Sequence, residues 1–264
     1  MKPEYLQAAV ETAQEAGKIL LQEFDRPPNI TYKGEADLVT QADRRSEQAI
    51  VERLRRWFPE HAIVAEEGTG HDNSGQLRWY VDPLDGTTNF AHGYPCFAVS
   101  IGLAEGDSVL AGVVFNPVSN ELFAAARGEG ATLNGKKISV SAIDTLKTSL
   151  LATGFPAHKR VQSPNIHYYW DFTLRSHGVR RDGSAALDLA SVAAGRFEGF
   201  WEFGLNPWDT AAGIVLIEEA GGRVSDFGVQ PYRFGAREIL ASNGKVHAEM
   251  QELAAEIAKK VEKK

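Results

Sequence analysis

The stretch RWYVDPLDGTTNF at residues 78–90 decides how the rest of this chain is interpreted. A β-type run ends there directly in two carboxylates, Asp82 and Asp85, which are followed by Gly86. The strand end delivers both carboxylates to one point, Gly86 lets the backbone approach a ligand, and a following helical turn directs free N–H groups at an anion. Because Mg²⁺ binds through a few carboxylates plus phosphate oxygens, the stretch predicts a site for a divalent cation and a phosphate.

A bare Asp-x-x-Asp-Gly is more often a capped turn with surface acids, so this interpretation depends on acids elsewhere in the chain. Asp43 follows DLVT, Glu66 lies in VAEEG, and Asp209 lies in NPWDTAAG, each at the boundary of a predicted element. Any one of them taken alone is more often structural, for example as a helix N-cap. Together with the pair at 82 and 85, they predict one carboxylate cluster assembled from distant segments.

Hydrophobic periodicity and turn residues predict the elements that carry these acids. Apolar residues at helical spacing predict helices over about residues 3–24, 40–57, 164–175, 184–194, 207–220 and 245–262. Short β-type runs between about 62 and 126 favour antiparallel pairing, and Asn134-Gly135 predicts a hairpin. We expect a layered α/β architecture, with an α+β half at 1–145 and an α/β half at 146–264.

Three local expectations concern caps and packing. Thr40 is expected to be the N-cap of the second helix. Trp57 is expected on the buried side of that helix. The aromatic residues at 168–170 are expected to pack against a neighbouring element rather than to contact a substrate.

Composition and charge exclude several classes of protein. The 264 residues are 43% hydrophobic and carry a formal net charge of −7 with no block of Lys or Arg, so neither nucleic acid nor an anionic membrane is an expected partner. The single cysteine, Cys96, excludes an intrachain disulfide. No uncharged apolar run approaches the roughly 18–20 residues of a membrane span, and the first residues do not read as a signal peptide. A soluble, cytoplasmic protein is expected.

Other catalytic motifs fit less well. Residues 130–137 match seven positions of a phosphate-binding P-loop, but Lys137 replaces the Ser or Thr that binds Mg²⁺, and a hairpin explains the stretch better. An aspartyl nucleophile in Asp-x-Asp-Gly-Thr is absent because Pro83 stands two residues before Asp85. The histidines form no His-Glu-x-x-His zinc motif. Cys96 is expected to be a core residue rather than a nucleophile.

Over nearly its whole length the chain resembles the inositol monophosphatase family, within the lithium-sensitive, fructose-bisphosphatase-like superfamily. The resemblance is carried by DLVTQAD at 37–43, VAEEG at 64–68, WYVDPLDGTTNFAHGYPCFAVSIGL at 79–103, DGSAALDLASVAAGRFEGFWE at 182–202 and NPWDTAAGIVLIEEAGG at 206–222. It implies five alternating layers, α-β-α-β-α, and commonly a homodimer. Asp182 departs from the pattern of many bacterial relatives, which bears on the substrate.

The resemblance also implies roles for individual residues. The implied ligands of two or three Mg²⁺ ions are Glu66, Asp82, Leu84 through its carbonyl, Asp85, Thr87 and Asp209. The implied catalytic residues are Asp43 and Thr87, which position and deprotonate the attacking water, and Glu66. The implied substrate contacts are Gly86, Thr87 and Thr88 at the phosphate, and Ala185, Glu202 and Asp209 at the polyol. Glu67 and Lys33 are implied in a third-metal or supporting role.

The activity implied is Mg²⁺-dependent hydrolysis of myo-inositol-1-phosphate by direct attack of water, without a phosphoenzyme and with inhibition by Li⁺. Fructose 1,6-bisphosphate, histidinol phosphate and nucleotide 3′-phosphates remain alternative substrates for the same motifs. A non-enzymatic alternative is a regulatory protein of transcription complexes, since some bacterial relatives act there.

Overall fold

The computed structural model describes residues 3–24, 30–32, 38–70, 76–155, 163–228, 232–236 and 238–261. Lys33, which sequence analysis gave a supporting role, lies outside these described residues. None of the described helices is both long enough and apolar enough to cross a membrane.

The helices form close to the predicted positions. They are α1 Pro3–Phe24, α2 Gln41–Trp57, α3 Thr87–Ala91, α4 Asn165–Arg175, α5 Ala185–Ala193, α6 Pro207–Glu219 and α7 His247–Val261. The strands are β1 Ile30–Tyr32, β2 Leu38–Thr40, β3 Ala62–Ala65, β4 Leu77–Asp85, β5 Ala98–Glu105, β6 Ser108–Asn116, β7 Glu121–Ala126, β8 Gly130–Leu133, β9 Lys136–Lys137, β10 Leu150–Thr153, β11 Gly178–Arg180, β12 Gly199–Phe203, β13 Arg223–Ser225 and β14 Glu238–Ser242.

These elements stack in five layers, and the expected α-β-α-β-α arrangement is confirmed. Helices α1 and α2 pack on one face of a sheet of strands β3 to β9, and α6 packs on its other face. Helices α5 and α6 lie together between that sheet and a second one, ordered β11-β10-β12-β14-β13. Helix α4 packs against α7 and β11 on the outer side of the second sheet. The middle helical layer therefore brings residues from both halves of the chain together.

One pairing differs from the expected antiparallel pattern in the first half. Strands β3 and β4 are parallel, with Ala65 in register with Val81, whereas β4 to β9 pair antiparallel in chain order. The connection across residues 66–76 is long enough to return the chain to the other end of the sheet. As a result both strands run in the same direction, and Glu66, directly after β3, comes beside the part of β4 that contains Asp82.

The cap expected on α2 is confirmed, but the expected burial of Trp57 is wrong, and the packing expected at 168–170 holds for two of the three residues. The Thr40 hydroxyl accepts from the backbone N–H of Asp43, and the Asp43 carboxylate accepts from the N–H of Thr40. Trp57 is 39% exposed because it falls on the last turn of α2, where the Arg53 guanidinium covers its ring. Of the aromatic residues at 168–170, Tyr168 and Tyr169 pack against other aromatic rings as expected, whereas Trp170 is 66% exposed.

Candidate active site

The site begins where the parallel strands β3 and β4 end. Glu66 directly follows β3, and its N–H donates to the Val81 carbonyl at 3.2 Å, so its side chain lies beside Asp82. The two carboxyl groups share a hydrogen bond. Asp82 is 2% exposed, and its Oδ1 also accepts the N–H of Leu84 at 3.0 Å. The parallel pairing of β3 with β4 therefore places two acids from separate strands side by side.

A bulge in β4 explains how Asp82 and Asp85 reach the same face. In a regular strand, residues three apart point to opposite faces. Asp82 pairs with Ser100 while Asp85 pairs with Ala98, so the register shifts by one residue between them. Pro83 has no N–H to give to a ladder, which suits it to this irregular position. The acids of the Asp-x-x-Asp motif converge because of this shift.

The first turn of α5 holds the Asp85 carboxylate. Its Oδ2 accepts the Ser184 hydroxyl at 2.5 Å and the backbone N–H of Ala186 at 2.7 Å. Ser184 is the N-cap of α5 and also accepts from the N–H of Leu187. Asp85 thus lies at the positive end of a helix dipole from the second half of the chain.

Asp209 reaches the site through close packing of α6 on the large sheet. It lies in the first turn of α6, and its Oδ2 accepts the Asn206 N–H at 2.7 Å, so the N-cap is Asn206. The Ser100 hydroxyl on β5 donates to the carbonyl of Trp208 at 3.3 Å. Since Ser100 pairs with Asp82, the start of α6 is fixed next to the strand that carries the first acid.

Asp43 and Thr87 form a linked pair at the start of α2 and α3. Asp43 is fully buried, and its Oδ2 accepts the N–H of Thr40 at 2.8 Å and its hydroxyl at 2.6 Å. The Thr87 hydroxyl lies 3.1 Å from Asp43 Oδ1 and 3.0 Å from the Leu84 carbonyl oxygen. One hydroxyl proton can serve only one of these acceptors at a time.

Gly86 shapes the backbone before α3. Its φ of +94° lies in the left-handed region, and a Cβ there would meet the Cys96 carbonyl at 2.9 Å. The chain then enters α3, whose first N–H groups have no carbonyl of their own helix to bind. Thr88 is exposed in this turn.

The acids of the site raise one another's pKa. Burial, and then the charges of Glu66, Asp85 and Asp209, hold the pKa of Asp82 well above its usual range. Burial also raises the pKa of Asp85 and Asp43, and it raises the pKa of Asp209 to about 7. A cluster of this kind is fully ionised only when positive charge lies within it.

The donor atoms of the site are of the types that bind a divalent cation, but they are not already arranged around a single ion position. Carboxylate and carbonyl oxygens are the donors that Mg²⁺ prefers. Within the ranges that the structure describes, however, no three acidic, histidine or cysteine side chains are already arranged as ligands of one ion.

Further acids lie close to Asp85 and Asp209, and one of them was missed by sequence analysis. Glu202 is 5% exposed on β12, and Ala185 is buried at the start of α5. Asp188, 2% exposed and one turn further along α5, has its pKa held well above normal by burial and by the charges of Asp182, Glu202 and Asp85. An acid inside the apolar run AALDLASVA was the available signal. The Arg181 guanidinium lowers the pKa of both Asp188 and Glu202.

Comparisons with known proteins agree with this arrangement. The model of the inositol monophosphatase family matches residues 1–263. The chain belongs to the inositol monophosphatase family. It is 48% identical over 261 residues to the inositol-1-monophosphatase of Synechocystis sp., covering 95% of this chain and 88% of that protein. It is 44% identical to the Nus factor SuhB of Pseudomonas aeruginosa, covering 91% of this chain and 92% of the other.

A solved structure supports the same membership. The inositol monophosphatase of Anabaena (Nostoc) sp. PCC 7120 superimposes with a TM-score of 0.88 at 42% identity, covering 96% of each chain. Membership in the inositol monophosphatase family makes this protein a phosphatase of a metal-dependent family that generally uses Mg²⁺.

The structure also bears on the P-loop likeness at residues 130–137 and on the role of Cys96. Residues 130–137 form the β8–β9 hairpin, with positive φ at Asn134 and Gly135, so the P-loop likeness is a turn as expected. Cys96 is half-buried, and burial followed by nearby acids raises the pKa of its thiol to about 12. A thiol that stays protonated is a poor nucleophile, in line with the expectation.

Proposed function

We propose that this protein hydrolyses a small phosphate monoester with Mg²⁺, and that myo-inositol-1-phosphate is the leading substrate. The observation that carries the proposal is the convergence of acids from three separate segments, with Glu66 after β3, Asp82 and Asp85 on β4, and Asp209 on α6. Asp82 is buried among them and the other three are half-buried. Burying several acids together is costly unless a cation balances them. A purely structural role would not explain why these acids are brought together.

The proposed ligands are the side chains of Glu66, Asp82, Asp85, Thr87 and Asp209 and the carbonyl of Leu84. Asp82 is the central member, because the charges of three other acids all act on it. When bound, Mg²⁺ supplies positive charge and Lewis acidity next to the phosphate. Two or three ions are proposed per site.

Asp43 and Thr87 are proposed to hold and deprotonate the attacking water. The Thr87 hydroxyl can donate to Asp43 Oδ1, and its oxygen can accept a hydrogen bond from water. As the Thr87 oxygen takes a proton from the water, its own proton passes to the Asp43 carboxylate, so the hydroxyl is regenerated. Burial raises the pKa of Asp43, which makes it a better proton acceptor than an ordinary aspartate. Glu66, across the cleft, is proposed to share in orienting the same water. No covalent intermediate on the protein is required.

The substrate is proposed to lie between α3 and the start of α5. Backbone N–H groups of Gly86, Thr87 and Thr88 receive the phosphate, because the start of a helix favours an anion. Ala185 lines the polyol side, and the carboxylates of Glu202 and Asp209 accept hydrogen bonds from its hydroxyl groups. The similarity to an inositol-1-monophosphatase supports inositol phosphate as the polyol.

The test is a panel of phosphate esters measured with Mg²⁺, with and without Li⁺. Myo-inositol-1-phosphate should have the highest kcat/KM, and Li⁺ should inhibit its hydrolysis. If fructose 1,6-bisphosphate, histidinol phosphate or a nucleotide 3′-phosphate has a higher kcat/KM, that ester becomes the proposed substrate and the proposed metal site is unchanged. Absence of Mg²⁺-dependent phosphate release from every ester would overturn the proposal.

A regulatory role is a second candidate, because a relative that covers nearly the whole chain carries the name Nus factor SuhB. Pull-down of RNA polymerase by both the unaltered protein and Asp82→Asn would support that role. A cytoplasmic homodimer that binds no nucleic acid or membrane remains our prediction, to be checked by light scattering and by electrophoretic mobility shift with RNA.

A further inference from the structure

One face of α2 touches three separate segments of the site. Asp43, Ser46 and Glu47 stand at i, i+3 and i+4, the spacing that puts side chains on the same side of a helix. All three are fully buried. Each forms hydrogen bonds to a different segment, so the face acts as a common support.

Ser46 reaches the bulge in β4. Its hydroxyl donates to the Pro83 carbonyl at 2.8 Å, between the two acids of the Asp-x-x-Asp motif. Asp43 reaches α3 through the hydroxyl of Thr87. These two contacts fix the start of α3 and the bulge relative to one rigid helix.

Glu47 makes the most extensive contact, with the turn that follows β3. Its Oε2 accepts the Glu67 N–H at 2.6 Å, and its Oε1 accepts the Thr69 N–H at 2.9 Å and the Thr69 hydroxyl at 2.8 Å. This turn begins with Glu66, one of the proposed cation ligands. Both carboxylate oxygens of Glu47 are therefore occupied in fixing the backbone immediately beside Glu66.

We propose that Glu47 is a positioning residue that sets the affinity of the site for divalent cations by holding the 66–69 turn. The proposal rests on the cation site of the proposed function. Glu47 contacts neither cation nor substrate in this role, and it acts through the placement of Glu66. Its effect should appear in the Mg²⁺ requirement rather than in the rate at saturating Mg²⁺.

Glu47→Gln is the sharpest test. The backbone N–H groups of Glu67 and Thr69 bind different carboxylate oxygens of Glu47. Glutamine has nearly the same shape but only one acceptor oxygen, so one of these two hydrogen bonds is lost. The matched control is Glu198→Gln. Glu198 is also buried, at 3% exposure, and its Oε2 accepts a single backbone N–H, that of Leu150, at 2.6 Å. It directly precedes β12, whereas Glu202 lies near the other end of that strand. Thr69→Ala, at an exposed position, removes one of the three contacts with little risk to folding.

Mn²⁺ binding is measured by calorimetry, and the Mg²⁺ dependence of phosphate release is measured in parallel. Glu47→Gln should weaken Mn²⁺ binding and raise the apparent Mg²⁺ constant by about tenfold or more, the usual range for a group that supports a ligand. Its kcat at saturating Mg²⁺ should stay within a few fold of the unaltered protein. Thr69→Ala should give a smaller change in the same direction, and Glu198→Gln should give none despite a lower melting temperature.

The outcomes separate the two proposals. Mn²⁺ binding without any phosphatase activity would refute the proposed function, while the calorimetric comparison still decides the role of Glu47. Unchanged Mn²⁺ affinity in Glu47→Gln and Thr69→Ala would overturn the positioning role, as would failure of the unaltered protein to bind Mn²⁺. If Glu47→Gln does not fold, Thr69→Ala decides the question.

Discussion

The hydroxyl of Thr87 lies within hydrogen-bonding distance of a carboxylate oxygen of Asp43, 44 residues earlier in the chain. Asp43 is held from the other side by both the N–H and the hydroxyl of Thr40. The capping box of α2 therefore does two things at once: it begins the helix and orients the carboxylate toward α3. A residue type that sequence analysis assigns to helix capping is in this way also available for catalysis.

Replacing Thr87 by valine should lower kcat by about 10²–10⁴-fold, the range for loss of a group that handles a proton. Thr87→Ser keeps the hydroxyl and should recover most of the activity. Thr132→Val is the control, since the Thr132 hydroxyl binds only the Ala124 carbonyl within the large sheet. Steady-state kinetics at saturating Mg²⁺ check the prediction, and equal activity of the valine and serine variants would contradict it.

Asp82→Asn should lower kcat by at least about a hundredfold, because loss of a central ligand exceeds the effect of losing a supporting group. The fold should persist, since the asparagine removes a charge that is costly to bury at 2% exposure. Phosphate release and a circular dichroism melt in EDTA are the two measurements. Near-normal turnover in this variant would refute the role assigned to Asp82.

Stability in the absence of divalent cations should fall as the pH rises. Acids whose pKa is raised on folding bind more protons in the folded state, so their contribution is complete near pH 4 and is lost as the pH passes their folded pKa. For Asp209 that pKa is about 7, and for Asp82 and Asp85 the shift is in the same direction.

The melting temperature in EDTA should therefore be lower at pH 8 than at pH 5.5, and added Mg²⁺ should raise it more at pH 8, where the ligands are ionised. Differential scanning calorimetry at both pH values gives the comparison. The idea fails if Mg²⁺ stabilises the protein equally at pH 5.5 and pH 8.

The sequence was sufficient to predict the helices, the order of layers and which acids meet, because apolar periodicity and the long motifs are local signals. It could not predict the parallel pairing of β3 with β4, since the direction of pairing is a property of the assembled sheet and not of the apolar pattern of either strand. It also missed the bulge between Asp82 and Asp85, which is a property of two strands rather than of one.

The exposure of individual aromatic residues also could not be predicted from the sequence. Trp57 and Trp170 lie in helices that were predicted close to their observed bounds, yet Trp57 is 39% exposed and Trp170 is 66% exposed. The periodicity of apolar residues shows which face of a helix points toward the core. It does not show how far the neighbouring layer extends along the helix, and therefore which residues of that face are covered. Asp188 was missed for a related reason, because only the fold shows which acids its helix faces.

Asp188→Asn should stabilise the protein in EDTA at pH 8 by a few degrees, because it removes a buried charge that lies among other acids. The gain should shrink at pH 5, where Asp188 is protonated to a greater extent. Exposed Asp107→Asn is the control and should have no comparable effect. A lower melting temperature for Asp188→Asn at pH 8 would show that Arg181 already compensates the charge.

Gly102→Ala should disturb the site from a distance, because α6 packs closely on β5 at Gly102. A Cβ at this position would lie 2.5 Å from the Cβ of Ala211 and 3.1 Å from the N of Ala212. Overpacking of this kind costs about 1–3 kcal/mol, and moving α6 also moves Asp209. The variant should therefore have both a lower melting temperature and a higher apparent Mg²⁺ constant.

The compensating change is Ala211→Gly, which removes the atom that the new methyl group would meet. The double variant should recover part of the Mg²⁺ affinity. Full recovery of stability is not expected, because Ala212 stays close and glycine in a helix costs up to about 1 kcal/mol. Ala211→Gly alone should leave the Mg²⁺ constant unchanged. If Gly102→Ala lowers stability without affecting the Mg²⁺ constant, then the placement of Asp209 does not depend on this contact.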